Sequence, residues 1–254
     1  MPMLPLILSV ALGLIVGSLL NQLGNDLPAR RGLTRPHCPY CGRERPWWQW
    51  VATLAFVVQR RRCQSCGAPF PWRFPLVEIG LAVTYGYLWI TIWPTSKFKF
   101  ALYLVYIAIF ALVLITDLER RLILNVVTYP AIILAILVSP FTPDMTPRYA
   151  LLGGVVGFLF FWLVAWVGNN VFGHGALGAG DVKLAAFIGL IVGYPLIIEA
   201  IILTIIIGAL VSFFLLITRI RRMRDPIPYG PFLVAGAVIT LLWGYPIAEW
   251  FLYT

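Results

Sequence analysis

From residue 3 to residue 252 the chain keeps returning to apolar runs about as long as a membrane is thick, separated by short polar breaks. A helix needs about 20 apolar residues to cross a hydrocarbon core of roughly 30 Å. No water is available there to satisfy exposed backbone groups, so such runs fold as helices. They fall at 3–22, 75–93, 99–116, 125–140, 148–168, 182–194, 198–218 and 230–252, which predicts an all-α polytopic membrane protein with about eight transmembrane helices. Composition agrees, since only 11% of residues are charged and 61% are hydrophobic, whereas about a quarter are charged in soluble domains. The segment Val182 to Thr218 is too long for one crossing, and "GYPLIIE" (193–199) divides it, leaving a sixth helix of only about 13 residues.

The first apolar run has no basic region before it and no small-residue cleavage pattern after it, so it reads as a permanent span rather than a removed signal peptide. Arg30, Arg31 and Arg35 follow it and place its carboxyl end in the cytosol. Carried through eight spans, that orientation puts sixteen of the nineteen lysines and arginines in or beside cytosolic loops, against Lys97, Lys99 and Arg148 outside. The expectation is a multi-pass membrane protein with its N-terminus outside. Basic loops beside an anionic leaflet account for the net charge of +9, which leaves the lipid bilayer as a partner and nucleic acid as none.

The first cytosolic loop carries Cys38-x-x-Cys41 and Cys63-x-x-Cys66, with Gly42 and Gly67 after each pair. Four thiolates on two tight turns close the tetrahedral shell of a structural zinc ion. The rival is a redox protein, but the reducing cytosol disfavours standing disulfides and no thioredoxin-like βαβ pattern surrounds either pair. His37 reads as a loop histidine. The division is a first helix over 1–22, a zinc-binding loop domain over 23–74 and a membrane domain over 75–254. Between the knuckles, "WWQWVATLAFVV" (47–58) is too short to span. It is expected to pack beneath the zinc unit or to lie at headgroup level, with Arg60, Arg61 and Arg62 touching phosphates or forming a solvated face.

Ten acids are few enough to sort individually. Asp26, Glu44, Asp144, Asp225 and Glu249 have ordinary solvated readings, and Glu199 sits at a predicted outer turn. Glu78, Asp117, Glu119 and Asp181 remain. Asp117 ends the third span and Asp181 opens the short sixth, so both sit at cytosolic helix ends. Acids at membrane depth are costly and point to function. The glycines at 173, 175, 178 and 180 are tolerable at depth only where they line a cavity. Two carboxyls in one such recess share a proton, so that one activates water while the other protonates a carbonyl or leaving amine. Gly178 and Gly180 would let a substrate strand approach beside Asp181, and Arg120 and Arg121 are spaced to hold Asp117 ionised. The bland alternative makes Asp117 a helix-end acid paired with Arg121, and Asp181 an N-cap; both readings stand at this point.

The order of motifs resembles the type IV prepilin peptidases, GxGD-type membrane aspartic proteases. "GSLLNQLGNDLP" (17–28) looks like the family's opening motif, followed by the CxxC pairs, "RFPLVEIG" (73–80), "DLERRLILN" (117–125), "GAGDVKLAAFIG" (178–189) and "IPYGPFLVAG" (227–236). The resemblance implies that Asp117 and Asp181 are the catalytic pair and that the cysteines hold zinc in a cytosolic domain. It implies substrate or methyl-donor binding at Glu78, for which a buried partner of an arginine is the rival, and groups Gly178, Gly180 and Lys183 with the substrate. Leu124 stands where the family usually has proline, and Arg120 where histidine is common. The implied substrate is a pilin-like precursor whose basic leader is cut after a glycine at the cytosolic face. Asp26, Glu78 or Glu119 is expected to receive that leader.

N-methylation of the new terminus would use S-adenosylmethionine, for which no binding motif is legible. "GGVVG" (153–157) reads as close helix packing, and His174 as a loop residue. The alternatives from other classes are a transporter or channel with a zinc-stabilised cap, and a membrane thiol oxidoreductase.

Overall fold

The computed structural model describes every residue except 1–2, 31, 39, 47–48, 59–61, 64, 70, 173–176, 220–226 and 254, and only the backbone of 58, 172 and 250–253. Arg60, Arg61, Gly173, His174, Gly175 and Asp225 therefore lie outside the described residues. The described chain is helical: α1 (Met3–Asp26), α2 (Ala52–Val58), α3 (Arg73–Thr91), α4 (Lys97–Arg120), α5 (Asn125–Val138), α6 (Pro147–Phe172), α7 (Ala179–Val192), α8 (Leu196–Ile217) and α9 (Gly230–Tyr253). Each of the eight apolar runs becomes one helix, and α2 is added between the first two. By length and composition, six of them can cross a membrane: α1, α3, α4, α6, α8 and α9. The other two, α5 and α7, have 14 residues each, or about 21 Å of helix.

Two compact units emerge, Met1–Ile115 and Thr116–Thr254. In the first, α1 packs along α3 because Ser9, Gly13, Gly17 and Asn21 recur every four residues and lie on one face. A Cβ on Gly13 would stand 2.6 Å from the Ala82 backbone, and one on Gly17 2.7 Å from that of Glu78. Small residues permit such an approach where lipid supplies no hydrophobic drive. The Ser9 hydroxyl donates to the Tyr85 carbonyl at 2.9 Å, and Asn21 Nδ2 to that of Phe74 at 3.0 Å.

In the second unit α7 is the central helix, in contact with α5, α6, α8 and α9. Leu184, Ala185, Phe187 and Ile188 are all buried. A helix that is apolar on every face belongs inside, and one enclosed by others has no need to match the bilayer's thickness. Gly153 and Gly157 of α6 meet the backbone of α7 at Gly189 and Ala185, so "GGVVG" is a packing stripe.

Candidate active site and metal centre

Asp117 lies in the last turn of α4, where Arg121 takes a left-handed φ of 52° and ends the helix. Asp181 lies in the first turn of α7, whose N-cap is Gly178. Both side chains are withdrawn from solvent, at 5% and 8% exposure, and the Asp117 charge acts on Asp181 through space. The Asp117 Oδ2 accepts the Gly230 N–H, at the start of α9, at 3.0 Å. Tyr229, one residue earlier, feels the charge of Asp181. The segment that opens α9 thus bonds one acid and lies within electrostatic range of the other. A Cβ at position 230 would lie 2.5 Å from Asp117 Oδ2, so glycine is what lets this amide reach the carboxylate.

The two acids are held differently. Asp181 Oδ2 accepts the Gly178 N–H at 3.2 Å, while its Oδ1 is buried with no hydrogen-bond partner among the described residues. An orphaned buried oxygen costs about 1–3 kcal/mol, and water or substrate is what would satisfy it. Asp181 is not the N-cap itself. It occupies the third position of the helix and bonds back to the cap residue.

Gly178 therefore serves Asp181 through its N–H. Gly180 packs against Ile123, which a Cβ there would approach to 2.8 Å. Lys183 Nζ donates to Asn125 Oδ1 at 2.8 Å and stands 4.9 Å from the Tyr129 ring centroid, tying α7 to the start of α5. Leu124 caps α5 with φ −75°, within the range that proline would impose, so leucine reaches the same backbone shape.

The two cysteine knuckles repeat one design. The first cysteine's N–H bonds the carbonyl five residues on, Cys38 to Arg43 at 3.0 Å and Cys63 to Ala68 at 2.9 Å, and the glycine four residues on returns a bond to it. Gly42 and Gly67 take φ of 71° and 68°, which favours glycine. All four Sγ atoms lie within 4.8 Å of one another. Cys38 to Cys66 is 3.9 Å and Cys41 to Cys63 is 4.0 Å. A tetrahedron with metal–sulfur bonds of about 2.3 Å has edges of about 3.8 Å, so the donor set fits one zinc ion. The N–H groups of Cys66 and Ser65 hold the Cys63 thiol down to about 6, favouring the thiolate that a metal needs. His37 stands outside this group, with Nδ1 3.0 Å from the Arg35 carbonyl.

Glu78 is fully buried. Its Oε1 accepts the Ala52 N–H at 2.8 Å, and its Oε2 accepts the Thr53 N–H and hydroxyl at 2.7 Å each. Arg45 acts on it electrostatically. Glu78 thus supplies the start of α2 with the acceptor that its own chain lacks. Asp26, read as solvated from sequence, is buried too: Thr34 donates to both oxygens, and Gln22 to Oδ2. Of the three acids expected to receive a basic leader, only Glu119 is exposed. A polar chamber beside Glu78, lined by Ser18, Asn21, Gln22, Arg45 and Trp50, has room of about 10 Å³, enough for one water and too little for a nucleoside methyl donor. The sequence reading missed Gly230, although its motif was noted. An amide acting on a residue 113 positions away leaves no local signal.

Two family models match: the type IV leader peptidase family over residues 104–213, and the bacterial peptidase A24 N-terminal domain over 11–92. Among curated relatives, a prepilin leader peptidase/N-methyltransferase of Pseudomonas aeruginosa is 30% identical over 99% of this chain and 94% of its own length. One of Bacillus subtilis is 30% identical over 94% of this chain and 95% of its own length. One of Burkholderia pseudomallei is 28% identical over 94% and 85% respectively. No solved structure matches significantly.

Proposed function

The chain belongs to the type IV leader peptidase family, and from that premise we propose that Asp117 and Asp181 are the catalytic pair of an aspartic endopeptidase. It removes the basic leader of a pilin-like precursor, cutting after a glycine at the cytosolic face of the inner membrane. The observation that carries this reading is the buried, unpartnered Oδ1 of Asp181 beside the charge of Asp117.

Asp117, held by the Gly230 N–H and near Arg121, acts as the base. It takes a proton from a water whose oxygen forms a bond to the scissile carbonyl carbon. Asp181 carries the proton that the pair shares and gives it to the carbonyl oxygen. When the tetrahedral diol collapses, the C–N bond breaks, the proton taken by Asp117 passes to the departing amine, and Asp181 recovers its own. The recess excludes bulk water, which strengthens each of these electrostatic contacts. Exposed Glu119 is the acid left to attract the leader. The loop charge bias supports an N-terminus outside and the pair on the cytosolic side.

Cys38, Cys41, Cys63 and Cys66 would hold a structural zinc that joins the two knuckles, and four thiolates would leave it no open position for cleavage chemistry. By analogy with the bifunctional names of its relatives, the protein also N-methylates the product, with S-adenosylmethionine as the methyl donor. Incubating the enzyme in membranes with a pilin precursor, then weighing the product by mass spectrometry, tests both activities. A product shortened at the glycine supports the peptidase, and a further methyl mass supports the transferase. An uncut precursor that Asp117→Asn leaves equally uncut overturns the reading.

A further inference from the structure

The segment between the knuckles has two faces that the catalytic reading leaves unused. Ala52 and Ala55 of α2 are buried against the first unit, and Phe56 packs on Ala52 and Phe74. Two residues turn the other way, Leu54 and Val57, three apart on α2 and so on one face. Leu54 is 56% and Val57 74% exposed. Such a stripe on a cytosolic loop has no reason to face water.

We infer that α2 is an interfacial anchor whose outer face lies in the headgroup region of the cytosolic leaflet, against anionic phospholipid. Two observations fix the occupant. First, α2 packs on the start of α3, a helix long and apolar enough to cross a membrane: the Phe56 ring meets the Trp72 ring at 4.6 Å, and Trp72 and Leu76 are themselves exposed. Second, the charge is complementary. Arg62 is exposed just after α2, with Arg60 and Arg61 beside it in sequence. A short apolar face near exposed Trp72, followed in sequence by three arginines, suits the boundary between acyl chains and phosphates. Anchored this way, the zinc-binding loop is pinned at its middle to the bilayer as well as to α3. The side of the membrane rests on the orientation proposed above; the lipid contact does not.

The test places a photoreactive benzoylphenylalanine at Leu54 or Val57 of the full chain, in nanodiscs of phosphatidylethanolamine with phosphatidylglycerol or of phosphatidylcholine alone. Exposed Glu44 is the control position. Lipid adducts at 54 and 57 exceed those at 44 by at least about fivefold, and they fall when Arg60, Arg61 and Arg62 become glutamate in the anionic discs. Adduct yields equal to that at 44, or cross-links to a second copy of the chain, overturn the anchor. Precursor cleavage in the same discs keeps the two proposals apart: lost cleavage with intact adducts counts against the peptidase alone.

Discussion

Asp26 and Glu78 in the first unit, and Asp117 and Asp181 in the second, are all buried carboxylates of an apolar chain, yet they are treated in opposite ways. The first pair is saturated. Glu78 receives three donors from the start of α2, and Asp26 receives Thr34 and Gln22. Among the described residues the second pair is starved, with one backbone N–H on each acid and no partner for one Asp181 oxygen. A saturated buried acid has spent its capacity on fixing other parts of the chain. A starved one carries an unmet cost and keeps lone pairs for water and substrate. Burial alone therefore does not separate these four acids; the number of donors around each does.

That contrast breaks if the two pairs respond alike to substitution. Asp117→Asn or Asp181→Asn lowers precursor cleavage by roughly 10³-fold with protein abundance unchanged, read by cleavage rates in membranes. Glu78→Ala strands the two N–H groups and the hydroxyl at the start of α2, costing about 3 kcal/mol. Thermal unfolding in detergent and faster amide exchange at Ala52 and Thr53 register this, while cleavage per folded molecule changes little. Gly230→Ala pushes a methyl into Asp117, and its cleavage rate falls by about tenfold without loss of folded protein, since the strain is confined to one carboxylate. Thr34→Val removes the hydroxyl that donates to Asp26 and accepts from Gln22, keeps the backbone donor, and shifts unfolding by about 1 kcal/mol. Should Glu78→Ala abolish cleavage in a molecule of undiminished stability, the saturated acid would belong to the chemistry after all.

Much of the fold was legible because apolar length is a local property. All eight runs reappear as helices, down to the shortness of α7, for which "GYP" was signal enough. The cysteine spacing likewise announced two knuckles, because each is closed by bonds five residues apart. The acids were harder. Asp26 read as solvated, and Glu78 as either a ligand-binding residue or a buried partner of an arginine, since nothing local says that Thr34 or Thr53 will fold back onto them. Residues 47–58 had two readings, beneath the zinc unit or at headgroup level; the structure packs α2 on α3 and leaves Leu54 and Val57 exposed.

By itself the sequence determined that this is an all-helical membrane protein, where its eight apolar helices lie to within about four residues, and which cysteines fall in pairs. Those properties follow from hydropathy, glycine placement and spacing along a few turns. Only the tertiary structure decided which acids are spent and which are left wanting. A carboxylate's donors come from backbone amides anywhere in the chain, and Gly230 reaches Asp117 across more than a hundred residues for that reason.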